Sequence, residues 1–485
     1  MARYVMYGTG ILSLLLLIVS IALLIAHTFM GIVEQKIKQA TVLKNGSEIY
    51  EDWVNPPPEI YMQFYFYNVT NPLEILSGEK PILREIGPYT YREYRSRESI
   101  SFLENGTTVS AVNRKVYVFD PEKSVGNPQD YIRTVNIPIM TLLETLINLN
   151  PFLKPFIEEA LMTYKDGLFV THSVHEWLWG YRDAVLAIVN LLDPNVSDTF
   201  GLFYLMNSTD DGEYVFLSGS ADYMEFTQIL EWRGKTSLDW WTTDTCNMIN
   251  GTDGSTVHSL VDKDDIINIF PSDLCRSLSA VYDRSETVKN IPVYRFTPSA
   301  STFANVTLNP DNAGFCVPSG NCLPSGLLNV SKCKQGAPIV LSFPHFYQAD
   351  ESIVQSIENM QPNKENDETF LDINPLTGAL IQVAKRIQVN VHLRKLEGYE
   401  SITKNIQTLF FPVMHLNESF VLDDNSVKKL SGILLTSGVV ANVPFIILAV
   451  GILLGIIFIV LVCRPVRSRE EVSEEDERGP LIRTS

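Results

Sequence analysis

The sequence lacks the local motifs that mark most catalytic sites. It has no G-x-S-x-G nucleophile elbow, no G-x-x-x-x-G-K-[ST] phosphate loop and no G-x-G-x-x-G after a strand. His175-Glu176 begins a partial match to the zinc helix H-E-x-x-H, but Trp179 stands where the second histidine is needed. The seven histidines show no ligand spacing beyond the pair His172 and His175. We therefore predict a protein that is not an enzyme and has neither a metal site nor a cofactor.

Basic residues are also scarce. Lys and Arg number 38 against 56 Asp and Glu, for a net charge of −18. An acidic surface argues against nucleic acid and anionic lipid headgroups as partners. Sequence repeats of 20–50 residues are absent, which argues against a solenoid or propeller. One large mixed domain is predicted instead.

Charge disappears altogether from two stretches, Val5 to Ala26 and Val443 to Cys463. Each is long enough to cross a bilayer as a helix. The first exceeds the apolar core of a cleaved signal peptide, so an uncleaved anchor is predicted. Arginines directly after the second stretch place its end in the cytosol. The predicted layout is a cytosolic N-terminus (1–4), a span (5–26), a lumenal ectodomain (27–438), a span (439–463) and a cytosolic tail (464–485).

Sequons and cysteines support that topology. Nine N-x-S/T sequons all lie between the spans, as expected of a glycosylated lumenal surface: Asn45, Asn68, Asn105, Asn195, Asn207, Asn250, Asn305, Asn329 and Asn417. Five of the six cysteines share one lumenal region, which indicates disulfides but allows 15 arrangements of two bonds with one free thiol. Cys316 and Cys322 are near enough in sequence for a local bridge. Cys463, at the membrane edge, is a palmitoylation candidate or a plain apolar residue.

The cytosolic tail carries a candidate sorting signal. Glu477, three spacers and the pair Leu481-Ile482 have the form of an acidic dileucine motif, which cytosolic clathrin adaptors read. A short acidic tail bends into an adaptor groove at little cost, and the two aliphatic side chains can be buried there. The alternative is a solvated acidic tail that happens to end in Leu-Ile.

Strand patterns dominate the ectodomain, and one segment departs from them. Tyr61 to Val69 and Ala379 to Leu393 are typical of β-strands, whereas residues 139–192 are predicted to be helical throughout. Pro151 suits the first turn of one helix, and Ser173 to Glu176 forms a capping box for another that runs to Leu192. These helices either seal one end of a sheet or present an apolar stripe to a partner.

Several long strings resemble the class B scavenger receptor family across nearly the whole chain. They are Gly87-Pro88-Tyr89-Thr90-Tyr91-Arg92-Glu93, Phe270-Pro271-Ser272-Asp273-Leu274-Cys275-Arg276, Phe343-Pro344-His345-Phe346 and Asp372-Ile373-Asn374-Pro375-Leu376-Thr377-Gly378. The ending from Asp476 to Thr484 looks like that of a lysosomal member. The resemblance implies an α+β fold: an antiparallel β-barrel ectodomain with a helical apex bundle and a lipid tunnel, anchored by two transmembrane helices.

The implied function is that of a sorting receptor in the lysosomal membrane. It would carry acid β-glucosidase (glucocerebrosidase) from the endoplasmic reticulum through endosomes, and transport cholesterol or phospholipid as a second role. The oligomeric state stays open, with a homodimer as one option. A surface receptor for lipid or lipoprotein uptake is the main alternative, and a lumenal hydrolase is a weaker one because no catalytic motif supports it.

The resemblance also assigns residues. The family pattern pairs Cys275 with Cys333 and Cys316 with Cys322, and leaves Cys246 free because Gly314 replaces its usual partner. The family's apex helices implicated in enzyme binding match Leu142 to Leu168, so the exposed stripe becomes the preferred alternative. The cargo-binding candidates are Leu149, Phe152, Leu153, Phe156, Ile157, Ala160, Leu161 and Tyr164.

Acid release is the point at which the chain departs from the family. The family's pH-sensing histidine is replaced by Pro151. His172 and His175 are the nearest groups with an ordinary pKa between neutral and lysosomal pH. Glu158 and Glu159 are alternatives if partly buried against cargo. A third interpretation gives the two histidines no switching role.

Overall fold

The computed structural model describes residues 2–56, 59–146, 167–192, 194, 196–334, 336–395 and 403–463. Seventeen strands are present in this part of the chain. They are β1 (Ile60–Val69), β2 (Leu83–Leu103), β3 (Thr108–Phe119), β4 (Tyr131–Val135), β5 (Phe169–Ser173), β6 (Tyr181–Arg182), β7 (Thr199–Phe200), β8 (Thr209–Leu217), β9 (Ile229–Trp232), β10 (Ile267–Ile269), β11 (Leu278–Val288), β12 (Ile291–Pro298), β13 (Leu328–Asn329), β14 (Ile339–Ser342), β15 (Phe370–Ile373), β16 (Leu380–Leu393) and β17 (Leu409–Val421).

Helices are fewer and shorter than strands, apart from those near the two ends. Those of α type within the described ranges are α1 (Ala2–Ile25), α2 (Thr28–Ala40), α3 (Glu48–Val54), α4 (Pro72–Leu76), α5 (Ile137–Leu146), α6 (Val174–Trp179), α7 (Ala184–Leu192), α8 (Asp244–Asn247), α9 (Glu351–Val354), α10 (Lys364–Asp367), α11 (Asp424–Ala441) and α12 (Val443–Cys463). The chain forms two compact units, residues 1–35 with 433–485 and residues 36–432.

The first unit is built on α1 and α12, both long and apolar enough to span a membrane. Small residues let the two helices approach closely. A side chain at Gly10 would meet the ring of Phe458, and Ser13 Oγ donates a hydrogen bond to the carbonyl of Gly451 at 2.8 Å. The length and apolar composition of Tyr4–Ile25 and Val443–Cys463 support the two predicted spans.

The second unit contains one large antiparallel sheet of thirteen strands, counted over the described residues. Its main path runs β10-β11-β12-β15-β16-β17-β1-β2-β3-β8-β9, with β14 and β13 branching from β16. The longest ladder joins β16 to β17, with Lys385 opposite Glu418 and Leu393 opposite Leu409. The first and last strands, β1 and β17, pair directly, so the ends of this domain meet in the middle of the sheet.

The two edges of the sheet are joined by one short segment, the closing seam, residues 249–252. The amide of Ile229, in β9, donates to the carbonyl of Gly251 at 2.8 Å. The amide of Thr252 donates to the carbonyl of Asn268, in β10, at 3.1 Å. Gly251 has φ of 88°, and a Cβ there would lie 1.9 Å from the carbonyl oxygen of Asn268, so only glycine fits. The sheet therefore closes on itself as the predicted β-barrel.

The prediction of helix throughout residues 139–192 is wrong in two places. Residues 169–173 form β5, which pairs with β4 from Tyr131↔Ser173 to Val135↔Phe169. The predicted single helix from Ser173 to Leu192 is two helices, α6 and α7, separated by Gly180 and the short strand β6. The capping box at Ser173 and Glu176 is confirmed. The β-branched and aromatic residues of β5 suit a strand, and Gly180, with φ of 126°, ends α6.

The structure contains two disulfides, Cys275–Cys333 and Cys316–Cys322, with the pairing that the family resemblance implies. Cys246 is free and buried. A Cβ at Gly314 would lie 2.6 Å from its Sγ atom. Gly314 therefore packs directly against the thiol, at the position where the family pattern places a cysteine.

Candidate functional site

A cavity of about 340 Å³ lies inside the barrel. Its walls are mostly apolar, and strand alternation explains why, because every second residue of a strand points inward. The apolar lining includes Trp53, Ile60, Phe270, Leu274, Phe303, Phe343, Phe370, Leu380, Val383, Ile387 and Phe420. A space of this size with a few polar groups is typical of sites for small apolar or amphipathic ligands.

Charged side chains cross this apolar interior at one level, which we call the charge layer: Glu93, Arg95, Lys115, Asp273, Lys385 and Glu418. The sheet register brings them together, since Arg95 stands opposite Lys115 and Lys385 stands opposite Glu418. Arg95 pairs with Glu93, Nε to Oε1 at 2.6 Å, and with Glu418. Lys385 lies 3.3 Å from Glu418 and 3.5 Å from Asp273, and Lys115 lies 4.0 Å from Asp273.

The charge layer is balanced, with three cations facing three carboxylates. Burial by itself would raise the pKa of Glu418, but Arg95, Lys385 and Lys115 outweigh it and lower that pKa to about 2. Lys115 and Lys385 likewise hold the pKa of Asp273 far below its ordinary value against the effect of burial. Each cation of the layer faces a carboxylate, so the layer has no net positive charge to attract an anionic headgroup. The cavity therefore suits a neutral or zwitterionic lipid better than a free fatty acid anion.

A further ion pair anchors α3 to the barrel wall. Arg97 donates to Asp253 at 2.6 Å and to Ser255 at 2.7 Å, and its guanidinium stacks 4.4 Å from the ring centroid of Trp53. Both charges are largely buried, with 5% and 12% of their side chains exposed. Because the charge of the guanidinium is paired with that of Asp253, the pair adds polarity to the cavity without adding net charge.

The two predicted pH-sensing histidines lie at the end of β5 and in α6. The His172 ring stacks on Tyr181 at 3.6 Å, and its Nδ1 lies 3.7 Å from Glu176. Burial lowers the pKa of His172 below its ordinary 6.5, although Glu176 and Asp183 oppose that shift. The amide of His175 donates to the carbonyl of Pro128 at 2.7 Å. A change of charge on the His172 ring would therefore act directly on its contacts with Tyr181 and Glu176.

The other predicted site residues divide into two groups. The eight cargo-binding candidates from Leu149 to Tyr164, the family-histidine position Pro151, the alternatives Glu158 and Glu159, the sequon Asn195 and the sorting residues Glu477, Leu481 and Ile482 lie outside the described residues. Among the other sequons, Asn45, Asn105 and Asn207 are exposed and the rest are half-buried. Cys463 is exposed at the end of α12.

The charge layer was not predicted from the sequence. Its members are spread from Glu93 to Glu418, and only the barrel register brings them together. One signal was available: Lys385 and Glu418 interrupt strands that are otherwise rich in β-branched and aromatic residues. A charged residue at an inward position of such a strand needs an opposite partner.

The chain is similar to known proteins over nearly its whole length. A family model described as the CD36 family matches residues 11–462. Lysosome membrane protein 2 from Rattus norvegicus is 53% identical over 485 residues, with both chains covered completely. The protein of that name from Homo sapiens is 51% identical over the same length. Scavenger receptor class B member 1 from Mus musculus is 31% identical over 474 residues, covering 97% of this chain and 91% of the relative.

Proposed function

The chain belongs to the CD36 family, and on that basis we propose that it is a sorting receptor of the lysosomal membrane. It binds acid β-glucosidase in the lumen of the early secretory pathway and releases it in the acidic lysosome. The observation that carries the proposal is the 51–53% identity to Lysosome membrane protein 2, which extends over the full length of both chains. Both termini lie in the cytosol, where clathrin adaptors read the tail.

Within the region Leu142 to Leu168 that matches the family's apex helices, cargo binds in this proposal to residues 147–166, which we call the apex segment and which contain the eight cargo-binding candidates. The described residues that flank this segment are Leu146, at the end of α5, and Gly167. Both attachment points are anchored, because the amide of Asn136 donates to the carbonyl of Leu168 at 2.8 Å. The side chains of Ile137, Ile139, Met140, Leu143 and Leu168 are fully buried at this base. A substitution in the apex segment therefore leaves the anchor intact.

Charge on the apolar stripe of the apex segment should abolish cargo binding. We expect Phe156→Asp and Leu161→Asp each to weaken the binding of purified acid β-glucosidase at pH 7 by more than about tenfold, because a carboxylate placed in a buried apolar contact is costly. Lys154→Glu, predicted to lie on the opposite helix face, is the control and should bind normally. Surface-immobilised full-length receptor in detergent gives the affinities. If both Asp variants unfold instead, the stripe is part of the core and the docking proposal fails.

Acid release is proposed to depend on His172. Because burial lowers the pKa of His172 in the folded chain, its contribution to local stability is complete above the ordinary 6.5 and is lost as pH falls through the lowered value. The charged groups that face it are Glu176 and Asp183. We expect His172→Gln, alone or with His175→Gln, to shift the midpoint of cargo release between pH 7 and 5 toward lower pH. An unchanged midpoint in the double variant would assign release to the carboxylates or to the cargo.

The sorting signal in the tail can be tested by measuring where the protein accumulates in the cell. Leu481→Ala combined with Ile482→Ala should move most of the protein from lysosomes to the plasma membrane, because the aliphatic pair is the main contact with the adaptor. Thr484→Ala combined with Ser485→Ala is the matched control. Fractionation and surface biotinylation give the distribution. A lysosomal steady state for the Leu-Ile variant would favour the alternative of an inert tail.

Lipid transport is the second proposed role. The apolar cavity and its balanced charges support a neutral ligand such as cholesterol, or a zwitterionic phospholipid. A surface uptake receptor is the competing function, favoured by the 31% identity to scavenger receptor class B member 1. The relocation experiment separates the two, because a surface receptor does not depend on a lysosomal sorting signal.

A further inference from the structure

We propose that Glu85, His345 and His415 form a binding site for a divalent cation of the zinc type. These residues are far apart in the sequence, and the sequence predicts no metal site there. In the folded chain one carboxylate oxygen and two imidazole nitrogens converge, all within 4.8 Å of one another. The three residues lie on the outward face of the barrel wall, because His415 alternates with Met414 and Leu416, which belong to the inner core.

The distances suit a single ion. His345 Nε2 lies 2.7 Å from Glu85 Oε2, and His415 Nε2 lies 3.4 Å from the same oxygen. Zinc binds imidazole nitrogen and carboxylate oxygen at about 2.0–2.2 Å, so tetrahedral ligand atoms are spaced by roughly 3.3 Å. Small rotations of the Glu85 carboxylate, which is 35% exposed, are enough to admit the ion.

His415 supplies an independent observation that points to a ligand site. Its side chain is 9% exposed, and its buried Nε2 atom has the long 3.4 Å contact with Glu85 Oε2 but no hydrogen bond of good geometry among the described residues. An unpaired polar atom in such a position costs free energy unless something occupies it. The ring is held in place by Tyr65, which stacks on it at 4.5 Å with an interplanar angle of 3°. The nitrogen is therefore aimed at the site by a fixed ring.

His345 is oriented by a carboxylate on its other nitrogen. Asp367, with 1% of its side chain exposed, lies 2.9 Å from Nδ1, and this bond leaves Nε2 facing Glu85. A carboxylate behind a ligating histidine is the usual outer partner of a zinc site, where it fixes the ring and strengthens the ligand. The backbone is fixed as well, since the His345 amide donates to Gln388 Oε1 at 2.8 Å.

The charge at the site is compatible with a cation. Glu85 and Asp367 are negative, and Arg386 is the positive group that acts on Asp367. Two nitrogens and one carboxylate match the donor preference of zinc, whereas calcium and magnesium prefer sites made of oxygen. In the metal-free chain a proton bridges His345 and Glu85. The cation takes its place and releases that proton to solvent, and water fills the fourth position on the exposed side of Glu85.

The site would fasten the turn at residues 344–346 to two strands of the barrel wall, β2 through Glu85 and β17 through His415.

The test of this site uses the full-length chain in detergent micelles, freed of metal by a chelator and titrated with Zn²⁺ alone at pH 7.5. Equilibrium dialysis with elemental analysis measures stoichiometry and affinity. Co²⁺ serves as a spectroscopic probe, because ligand-field bands appear only when the protein coordinates the ion.

We expect one Zn²⁺ per chain, and at least about 100-fold weaker binding in Glu85→Gln, His345→Gln and His415→Gln. Asp367→Asn should weaken binding by about 10–100-fold, as expected of an outer partner. His258→Gln is the matched control, because His258 also faces a carboxylate, Asp265 at 3.9 Å, without a third ligand among the described residues.

Glu85→Gln is the decisive variant, since its exposed side chain can change without disturbing the core. Circular dichroism and the thermal unfolding midpoint check that each variant is folded. The proposal is overturned if the metal-free wild-type chain takes up no Zn²⁺, or if Glu85→Gln binds the ion as tightly as the wild type does. Equal loss in His258→Gln would likewise show that binding is not confined to this site.

Discussion

Glu418→Gln should strongly destabilise the lumenal domain, because it removes one carboxylate from the charge layer. The variant keeps the shape of the side chain but leaves Arg95 and Lys385 facing a neutral group inside the barrel. Removing one partner of a buried ion pair typically costs about 3–5 kcal/mol, because the remaining charge stays desolvated. We expect a loss of that size in the free energy of unfolding, measured by urea titration of the full-length chain in detergent.

The control for this experiment is Glu59→Gln. Glu59 pairs with Arg92 at 2.9 Å, but 53% of its side chain is exposed. Exposed pairs contribute about 0–1 kcal/mol, so this variant should unfold almost as the wild type does. If Glu418→Gln also unfolds at the wild-type midpoint, the charge layer does not stabilise the barrel and its role must lie elsewhere.

The same carboxyl sets a pH window for stability. Glu418 has an ordinary pKa of 4.5 in the unfolded chain and one of about 2 in the folded chain. Its contribution is therefore complete above about pH 4.5 and is lost as pH falls through about 2. A lysosomal pH near 5 leaves the layer ionised. The barrel can thus keep its structure in the compartment where His172 is proposed to release cargo.

Val383→Trp should block lipid binding to the barrel. Val383 lies on β16 and contributes to the cavity wall, together with Ile387 and Phe420. In a cavity of about 340 Å³ the introduced indole ring would occupy volume that a bound sterol needs. We expect at least about a tenfold loss of affinity for a fluorescent cholesterol analogue, equivalent to about 1.4 kcal/mol.

Val118→Trp is the matched control. Val118 lies on β3 between inward-facing residues and is 50% exposed, so the same ring is added to the outside of the barrel. Overpacking costs about 1–3 kcal/mol on its own, so circular dichroism and the thermal unfolding midpoint serve as the check of folding. Undiminished sterol binding by a folded Val383→Trp protein would rule out the cavity as the lipid site.

Local patterns were sufficient for part of the fold. The prediction of a strand over Tyr61–Val69 is confirmed by β1, and that over Ala379–Leu393 by β16, because their apolar residues are β-branched or aromatic. The charge-free stretches correspond to α1 and α12 for an equally local reason, the length of an apolar helix. The longest strand, β2, was not predicted. Its inward positions carry Glu93, Arg95 and Arg97, so its composition hides the alternation.

The candidate site was less accessible to sequence reasoning. The ion pairs of the charge layer join strands separated by up to 323 residues, as between Arg95 and Glu418. The convergence of Glu85, His345 and His415 likewise follows from sheet register and from one turn packed on it. Such groupings depend on long-range pairing, whereas residue spacing reports only neighbours along a helix or strand. The strand β5 was missed for a related reason, since its pairing with β4 outweighs the helical pattern around it.

The closing seam gives the barrel a built-in point of weakness. Twelve residue pairs hold β16 to β17, whereas, within the described residues, β9 and β10 are joined through a few backbone hydrogen bonds of Gly251 and Thr252. Cooperative opening starts where the fewest bonds must break together. Amide hydrogen exchange within the sheet should therefore be fastest at the closing seam. Local separation of β9 from β10 would also let a bulky sterol enter the barrel while the long strand ladders remain paired. Asn250 lies within the closing seam, so a glycan attached to its sequon would lie beside that opening.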